Sequence, residues 1–582
     1  MPQKQQKQQK QKQQKQYVHQ IFEDPGEADE DPDSVSALLS NELLQLSLND
    51  RNAIQEEIHG VRCLAPEETE DLLESSLAKL EAALKDDAAL PPNQKEAFLM
   101  SQSLPKTYVN DDSFRLRFLR YVLFDIEQAA KQIVRFLRVA VELFGDIALE
   151  RPIGLNDFNT KELKYFREGE IQFLPFRDRI GRRILCIMNP MLPRDDIDIP
   201  IARAKIGLYM TWTAGDDLDV QRKGLVYLVR FTSKFESISA TDCLQQAMIL
   251  KKTPKAPVQI LCTVRCSAVH ICSPNKSLYR IANNLISLRI SKMGRKRMKI
   301  HFGECVELQY ALHAYGIPTE YIPLTFSGNI KDAYIKQWLR LRAAVEYQAQ
   351  NECSSHKNNS IIECPQLEDV LFRQGVSSLS YPGNLRLHRL VEELYKDTET
   401  IPDGGGSTTA RCAPLKRGMV KSKREKVVQE LVRIVSSRGD RFLVWNDQGW
   451  WNELKGPSQR FPQQYSQPNE RLTSSILQPP LQPPINPQLV TKLEYFIKEV
   501  LRHKRQRGKE QQQQQQQQQQ DKTIASSSSP LSTKKTIQDT QQLDSSTSIF
   551  QNQQDDDNFS ASCRGESRDG SNKRTKLEHS QI

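Results

Sequence analysis

The chain has 582 residues, 38% of them hydrophobic and 26% charged, and a net charge of +9 that is too modest for its length to argue for whole-molecule attraction to nucleic acid. No run reaches the roughly 18 apolar residues that a bilayer span needs, and the N-terminus is a hydrophilic Gln-Lys tract where a secretory signal would be apolar. Eleven irregularly spaced cysteines give no disulfide framework, so a soluble protein kept inside the cell is expected, with Cys186, Cys262 and Cys266 as small buried hydrophobes.

In chain order, residues 1–65 read as a disordered lead-in. The first sixteen are almost only Gln and Lys, and the acidic stretch after them holds Pro25, Pro32 and the run Glu27 to Asp33. A helical lead-in follows over 66–150. Leu72, Leu73, Leu77, Leu80 and Leu84 have helical spacing up to Pro91-Pro92. Asp125 and Gln128 then have the spacing of a capping pair ahead of the stripe Ile126, Ala130, Ile133, Leu137, Ala140 and Phe144, which Gly145 ends.

Residues 151–347 read as an α/β domain. Short apolar runs, Ile184–Met188, Leu225–Val229, Val258–Val264 and Met298–Phe302, suit strands buried on both faces. They alternate with helix-like stretches, Ile201–Trp212, Thr241–Leu250, Ser277–Ile290 and Glu304–Ala314, which implies a parallel or mixed sheet covered by helices. A last helix near Ile330–Tyr347 leads to a polar linker over 348–366. A small, basic, mainly helical domain is expected over 367–455, with helices at Leu385–Tyr395 and Arg424–Ser436, a flexible insert at Gly404-Gly405-Gly406, and Asn384 capping the first helix. Residues 456–582, rich in Pro, Gln and Ser with a pure Gln run at 511–520, read as a disordered tail.

Several of these segments carry a resemblance. Phe114-Arg-Leu-Arg-Phe-Leu-Arg-Tyr-Val-Leu-Phe-Asp125 with the Ala129-Ala130 helix, Leu174 to Arg183 with its Asp-Arg-x-Gly-Arg turn, Gln221-Arg-Lys-Gly224, His301 and Gly303, and Tyr315-Gly-Ile-Pro-Thr-Glu-Tyr-Ile-Pro323 with Gly328 occur in the order found in the CRAL-TRIO family. Over about 110–345 the chain resembles that family. The resemblance implies a non-enzymatic module whose sheet and helices enclose an elongated apolar pocket for a phospholipid or another hydrophobic small molecule. Each buried methylene of such a ligand contributes about 0.8 kcal/mol without any catalytic group. On that reading the pocket candidates are Val226, Leu228, Ile260, Cys262, Ile300 and Phe302 of the central strands, with Tyr209 and Trp212 from the preceding helix. Arg295, Lys296, Arg297 and Lys299 have no carboxylate among them and are candidates for an anionic headgroup or a transient anionic membrane surface. Lys255 after Pro254 stands where an inositol-reading acidic residue is sought, so inositol-lipid recognition is not implied.

The second domain has its own likeness. Asp369-Val-Leu-Phe372, Tyr381-Pro-Gly-Asn384-Leu-Arg-Leu and the ending from Arg441-Phe-Leu443 to Trp450 resemble a domain of unknown function recurrent in algal proteins, which confers no activity.

Enzyme signatures are missing: the sequence has no phosphate-binding Gly-x-x-x-x-Gly-Lys-Ser/Thr loop, no Gly-x-Ser-x-Gly elbow, no His-Glu-x-x-His helix and no Cys-x-x-Cys pair. His270, His301 and His313 fit no metal-ligand pattern, Cys262, Cys266 and Cys272 are too irregular for zinc, and Glu304 and Glu307 share a helix face without a partner for acid-base work. The expectation is a lipid-binding or lipid-transfer-like protein, cytoplasmic and peripheral to membranes, with no cofactor. The alternative is a nuclear regulatory or scaffolding protein whose basic second domain (Arg386, Arg389, Lys421, Lys423, Arg424, Lys426) binds nucleic acid or a protein partner, with the Lys573-Arg-Thr-Lys576 cluster suiting that location.

Overall fold

The computed structural model of the protein describes residues 34–88, 90–192, 198–252, 263–350, 361–374, 380–397, 417–454 and 485–527, and the chain divides into two units, residues 1–504 and 505–582. Two helices open the first unit, α1 (Ser34–Leu44) and α2 (Leu48–Ile58). The hydroxyl of Ser47 caps α2 by accepting from the Asp50 amide at 3.1 Å. The expectation of an irregular lead-in through residue 65 is therefore corrected over these helices. The segment buries Ile54 and Ile58 together with two carboxylates, Glu42 and Glu57, so tertiary contacts order a stretch whose acidic composition suggested none.

A helical layer comes next: α3 (Glu70–Lys85), α4 (Glu96–Ser103), α5 (Asp112–Tyr121), α6 (Ile126–Phe144), α7 (Ile147–Glu150) and α8 (Thr160–Arg167). In α6 the predicted cap is present, with Asp125 accepting from the Gln128 amide at 3.1 Å, and Gly145 closes the helix at a φ of 77°. Its stripe from Ala129 to Leu143 is buried.

The fold is mixed α/β. Strands β1 (Ile171–Phe173), β2 (Arg183–Met188), β3 (Leu225–Arg230), β4 (Cys266–Ser273) and β5 (Met298–Phe302) form one sheet in that order, with β1 antiparallel to β2 and the other four parallel. The crossovers carry α9 (Asp198–Ala214), α10 (Leu218–Lys223), α11 (Ala240–Lys252), α12 (Ser277–Arg289) and α13 (Lys292–Arg295). Parallel strands laid down in sequential order by right-handed crossovers put the crossover helices on one face. The cores agree. Leu185, Ile187, Tyr227, Val229, Val269 and Ile271 pack with α6, α9 and α12, whereas Ile184, Cys186, Met188, Val226, Leu228, Ala268 and Cys272 pack on the opposite face with α2 and with α14 (Cys305–Ala314).

Strand β4 lies C-terminal to the run Val258–Val264, and residues 253–262 fall outside the described part. The observed strand, Cys-Ser-Ala-Val-His-Ile-Cys-Ser, is interrupted by polar residues that are buried with partners. Ser267 Oγ donates to the Leu225 carbonyl at 2.9 Å, and Ser273 Oγ accepts from Asn283 Nδ2 at 2.9 Å. A search for apolar runs passes over such a strand.

Helix α15 (Ala333–Gln350) leads to a second sheet made of β6 (Ile361–Ile362), β7 (Val370–Phe372), β8 (Phe442–Trp445) and β9 (Trp451–Glu453) in the order β6-β9-β8-β7. The described part of the small domain is mainly helical, as expected, and the sheet adds to that expectation: strands of two to four residues are too short to show a period. Helices α16 (Pro382–Asp397), α17 (Arg417–Ser437) and α18 (Pro487–Ser527) accompany it. Asn384 is not a cap. It sits inside the first turn of α16 and bonds both backbone groups of Leu371, accepting from N–H at 2.7 Å and donating to C=O at 2.8 Å. Neighbouring Gly383 is required there, since a Cβ would lie 2.0 Å from the Asp369 carbonyl oxygen.

The tail expectation is also corrected between 487 and 527, because α18 places Leu489, Leu493, Phe496, Ile497 and Val500 in the small domain's core. In the second unit only the continuation of that helix is described, with the Gln run exposed along it. Residues 361–366 of the expected linker are seated as well: Glu363 meets Arg183 at 2.6 Å and Arg342 at 3.3 Å, accepts from Trp338 Nε1 at 2.6 Å, and precedes buried Cys364. If α18 is part of the small domain, Leu493→Ala, at a fully buried position, lowers stability by about 2–5 kcal/mol in urea unfolding; a change below 0.5 kcal/mol contradicts the assignment.

Candidate ligand cavity

Between the helix-covered face of the first sheet and the helices α6, α9 and α12 lies a cavity of about 760 Å³. That volume falls within the range of small-molecule sites. Its floor is the alternate residues of four strands, Ile171, Leu185, Ile187, Tyr227, Val229 and Val269. Val139 and Leu143 of α6, Ala204, Gly207 and Leu208 of α9, and Ile286, Ile290 and Met293 near α12 and α13 complete the apolar wall. Gln128, Gln132 and Arg135 add polar positions along α6.

None of the six described pocket candidates lines this space. Val226 and Leu228 are on β3 but face the opposite core; their sequence neighbours Tyr227 and Val229 take the lining positions. Strands buried on both faces offer no polar alternation to tell the two sides apart, and a one-residue shift exchanges them. Tyr209 points into packing, with its hydroxyl 2.6 Å from Glu346 and its ring edge-on to Phe158 and Phe166. Trp212 stacks on Phe136 at 5.5 Å and carries the Arg117 guanidinium 3.9 Å above its ring. Ile300 is half-buried against the main core, and Phe302 is 43% exposed beside Arg280. Ile260 and Cys262 lie outside the described residues.

The basic run differs from the expectation in a specific way. Its two arginines are paired, by carboxylates far away in sequence. Arg295 donates to Glu42 at 2.6 Å, and buried Arg297 donates to Glu57 at 3.2 Å. Lys296 and Lys299 are half-buried, and burial lowers the Lys299 amine below its ordinary range. Of the four, only Arg297 reaches the cavity.

At that polar end Arg297 stands beside Arg265, which the sequence reading overlooked. Each immediately precedes a strand, β5 and β4 respectively. Glu57, fully buried, bridges them: its second carboxylate oxygen accepts from Arg265 Nη1 at 2.6 Å and from the Leu64 amide at 3.3 Å. Arg265 also donates to the carbonyls of Arg222 and Lys223 at 3.3 and 3.4 Å. Gly224 allows that approach, since a Cβ there would lie 2.7 Å from the Arg265 carbonyl oxygen. Arg203, also lining the cavity, is taken up by Glu170, which accepts from Tyr165 at 2.5 Å, and by the Met188 carbonyl at 3.2 Å.

On the opposite face is a cluster of imidazoles. His270 Nδ1 is 3.1 Å from His301 Nε2, Tyr315 is edge-on to both, and His59 stacks on Tyr315 at 4.5 Å. Burial, then Lys299 and Arg230, push His301 down to about 4, and burial with His301 and Arg182 holds His270 well below 6.5. His313 lies apart, exposed on α14. Glu304 and Glu307 form the capping box of α14, with Glu307 accepting from the Glu304 amide at 2.9 Å. Burial pushes the Cys186 thiol up to about 12 and Cys272 to about 11, which keeps both protonated and unreactive near neutral pH. Among the described residues, no group of three or more His, Cys, Asp or Glu is placed to hold a metal ion. No protein-family model matches the chain, and no curated protein matches it.

Two outcomes follow from these pairings. Glu57→Gln leaves two buried guanidinium groups without their carboxylate and costs about 3–5 kcal/mol in thermal or urea unfolding, whereas Glu127→Gln, at an exposed pair with Lys131, changes stability by under about 1 kcal/mol. The imidazoles add a pH dependence. The unfolded chain takes up protons near pH 6.5 while folded His301 resists until about 4, so this stability is complete above 6.5 and is lost as pH falls toward 4. A urea midpoint that falls over this window in the parent and is flatter in His270→Gln/His301→Gln agrees; equal slopes contradict it.

Proposed function

We propose that the chain is a non-enzymatic lipid-binding protein of the CRAL-TRIO type, holding a hydrophobic small molecule or phospholipid between its sheet and helices. The observation that carries the reading is the cavity itself. About 760 Å³ of space walled mainly by aliphatic side chains is present between the sheet and its helices. A hydrocarbon chain lying in apolar space of that size gains dispersion contacts with every wall while leaving water, at about 0.8 kcal/mol per methylene. Binding of this kind needs no reacting group.

Transient docking on a membrane fits the same reading. Met293 of α13, which lines the cavity, is 60% exposed, and Leu288 of the preceding α12 is 56% exposed. Among the described residues no helix is long and apolar enough to cross a membrane, so contact with a bilayer would be peripheral. A cytoplasmic location is part of the proposal.

The test is extraction of the purified full-length protein with organic solvent and mass spectrometry of the extract, alongside Ala204→Trp, which fills the cavity from α9. A lipid class enriched at near-stoichiometric amount in the parent and lost in Ala204→Trp supports the proposal. Equal extracts from the two proteins, with both folded, overturn it.

A further inference from the structure

Resting on the reading of the cavity as a lipid site, we infer that its occupant carries a single acidic group, a carboxylate or a phosphodiester, seated against Arg265 and Arg297. Both residues line the cavity and are only 5% and 4% exposed. One carboxylate, Glu57, serves both. Two positive charges against one negative leave this end with one buried positive charge to balance, and burying such a charge uncompensated is costly.

Donor capacity shows the same surplus. Arg265 uses Nη1 on Glu57 and Nη2 on two carbonyls, while its buried Nε–H has no acceptor. An acceptor entering from the cavity would satisfy it, but Arg117, Arg183 and Arg230 also keep an unpartnered buried Nε–H, so the charge balance carries the argument. Arg203 offers no such surplus, because Glu170 and the Met188 carbonyl already occupy it.

Position supplies the rest of the argument. Arg265 and Arg297 sit at the start of the parallel strands, and Asn189 and Met191, which also line the cavity, follow the end of β2. Between the two ends the floor is aliphatic and aromatic over the length of a six-residue strand, roughly 20 Å. An amphiphile therefore lies along the strands with its head at the arginines and its chain over Ile187 and Val229. Glu57 sets the charge that fits. A monoanion brings this end to neutrality, whereas a dianion such as a phosphomonoester leaves a buried negative charge.

The experiment compares oleate, dioleoylphosphatidylglycerol and oleyl alcohol as ligands of the delipidated full-length protein at pH 7.4, by equilibrium binding. Oleate or phosphatidylglycerol binding at least about tenfold more tightly than the alcohol is expected, and which of the two does so identifies the carboxylate or the phosphodiester as the head. Equal binding of all three overturns the inference and leaves the lipid reading standing; failure of all three to bind overturns both. Glu57→Gln, if folded by circular dichroism, is expected to raise the oleate preference about tenfold by removing the competing carboxylate. An unchanged preference in folded Glu57→Gln overturns the role given to that residue, and the comparison in the parent protein decides the inference where the variant does not fold.

Discussion

A single buried carboxylate joins three parts of this protein. Glu57 arrives from a helix near the N-terminus, neutralises part of the charge on Arg265 and Arg297, and so ties α2 to the starts of β4 and β5. Arg182 adds to the tie by donating to the Glu57 carbonyl at 2.5 Å. The same two arginines are among the residues that line the cavity. The polar end of the cavity and the docking of the N-terminal helices thus share one electrostatic arrangement, in which the low dielectric strengthens each pairing and makes each loss expensive.

The sheet determines where space for a ligand can exist. Four parallel strands in sequential order place the crossover helices on one face and leave the other to α2 and α14. The second face closes with short aliphatic residues, cysteines and the His270–His301–Tyr315 cluster. On the first face, α6 and α9 stand off the strands enough to leave the cavity, while the aromatic cluster of Phe114, Phe118, Phe136 and Trp212 fills the neighbouring region. Rigid packing next to open space is what a binding site on a scaffold requires.

Much of the α/β domain was legible in the residues. The strands β2, β3 and β5, the cap at Asp125 and the helices of the crossovers lie close to their predicted spans, because long apolar runs and 3.6-residue periods carry that information. Facing was not legible. Val226 and Leu228 look identical to Tyr227 and Val229 in a strand buried on both sides, and only the position of α6 distinguishes them. Partner identity was hidden for another reason: Arg295 and Arg297 read as unpaired since their carboxylates, Glu42 and Glu57, lie more than 200 residues earlier. Helix α18 did carry a signal, Leu489, Leu493, Phe496, Ile497 and Val500 at helical spacing, but the Pro-Gln composition on either side outweighed it. The strands of the second sheet, at two to four residues, had no period to read.

The central claim is that the space over Ile187, Tyr227 and Val229 belongs to a ligand. The most direct measurement is an experimentally determined structure of the full-length protein purified without a delipidation step. The account predicts elongated density along these residues, continuous from Arg265 and Arg297 toward Met191. Side chains of α6 and α9 collapsed onto the strands, with no unassigned density between them, would contradict it.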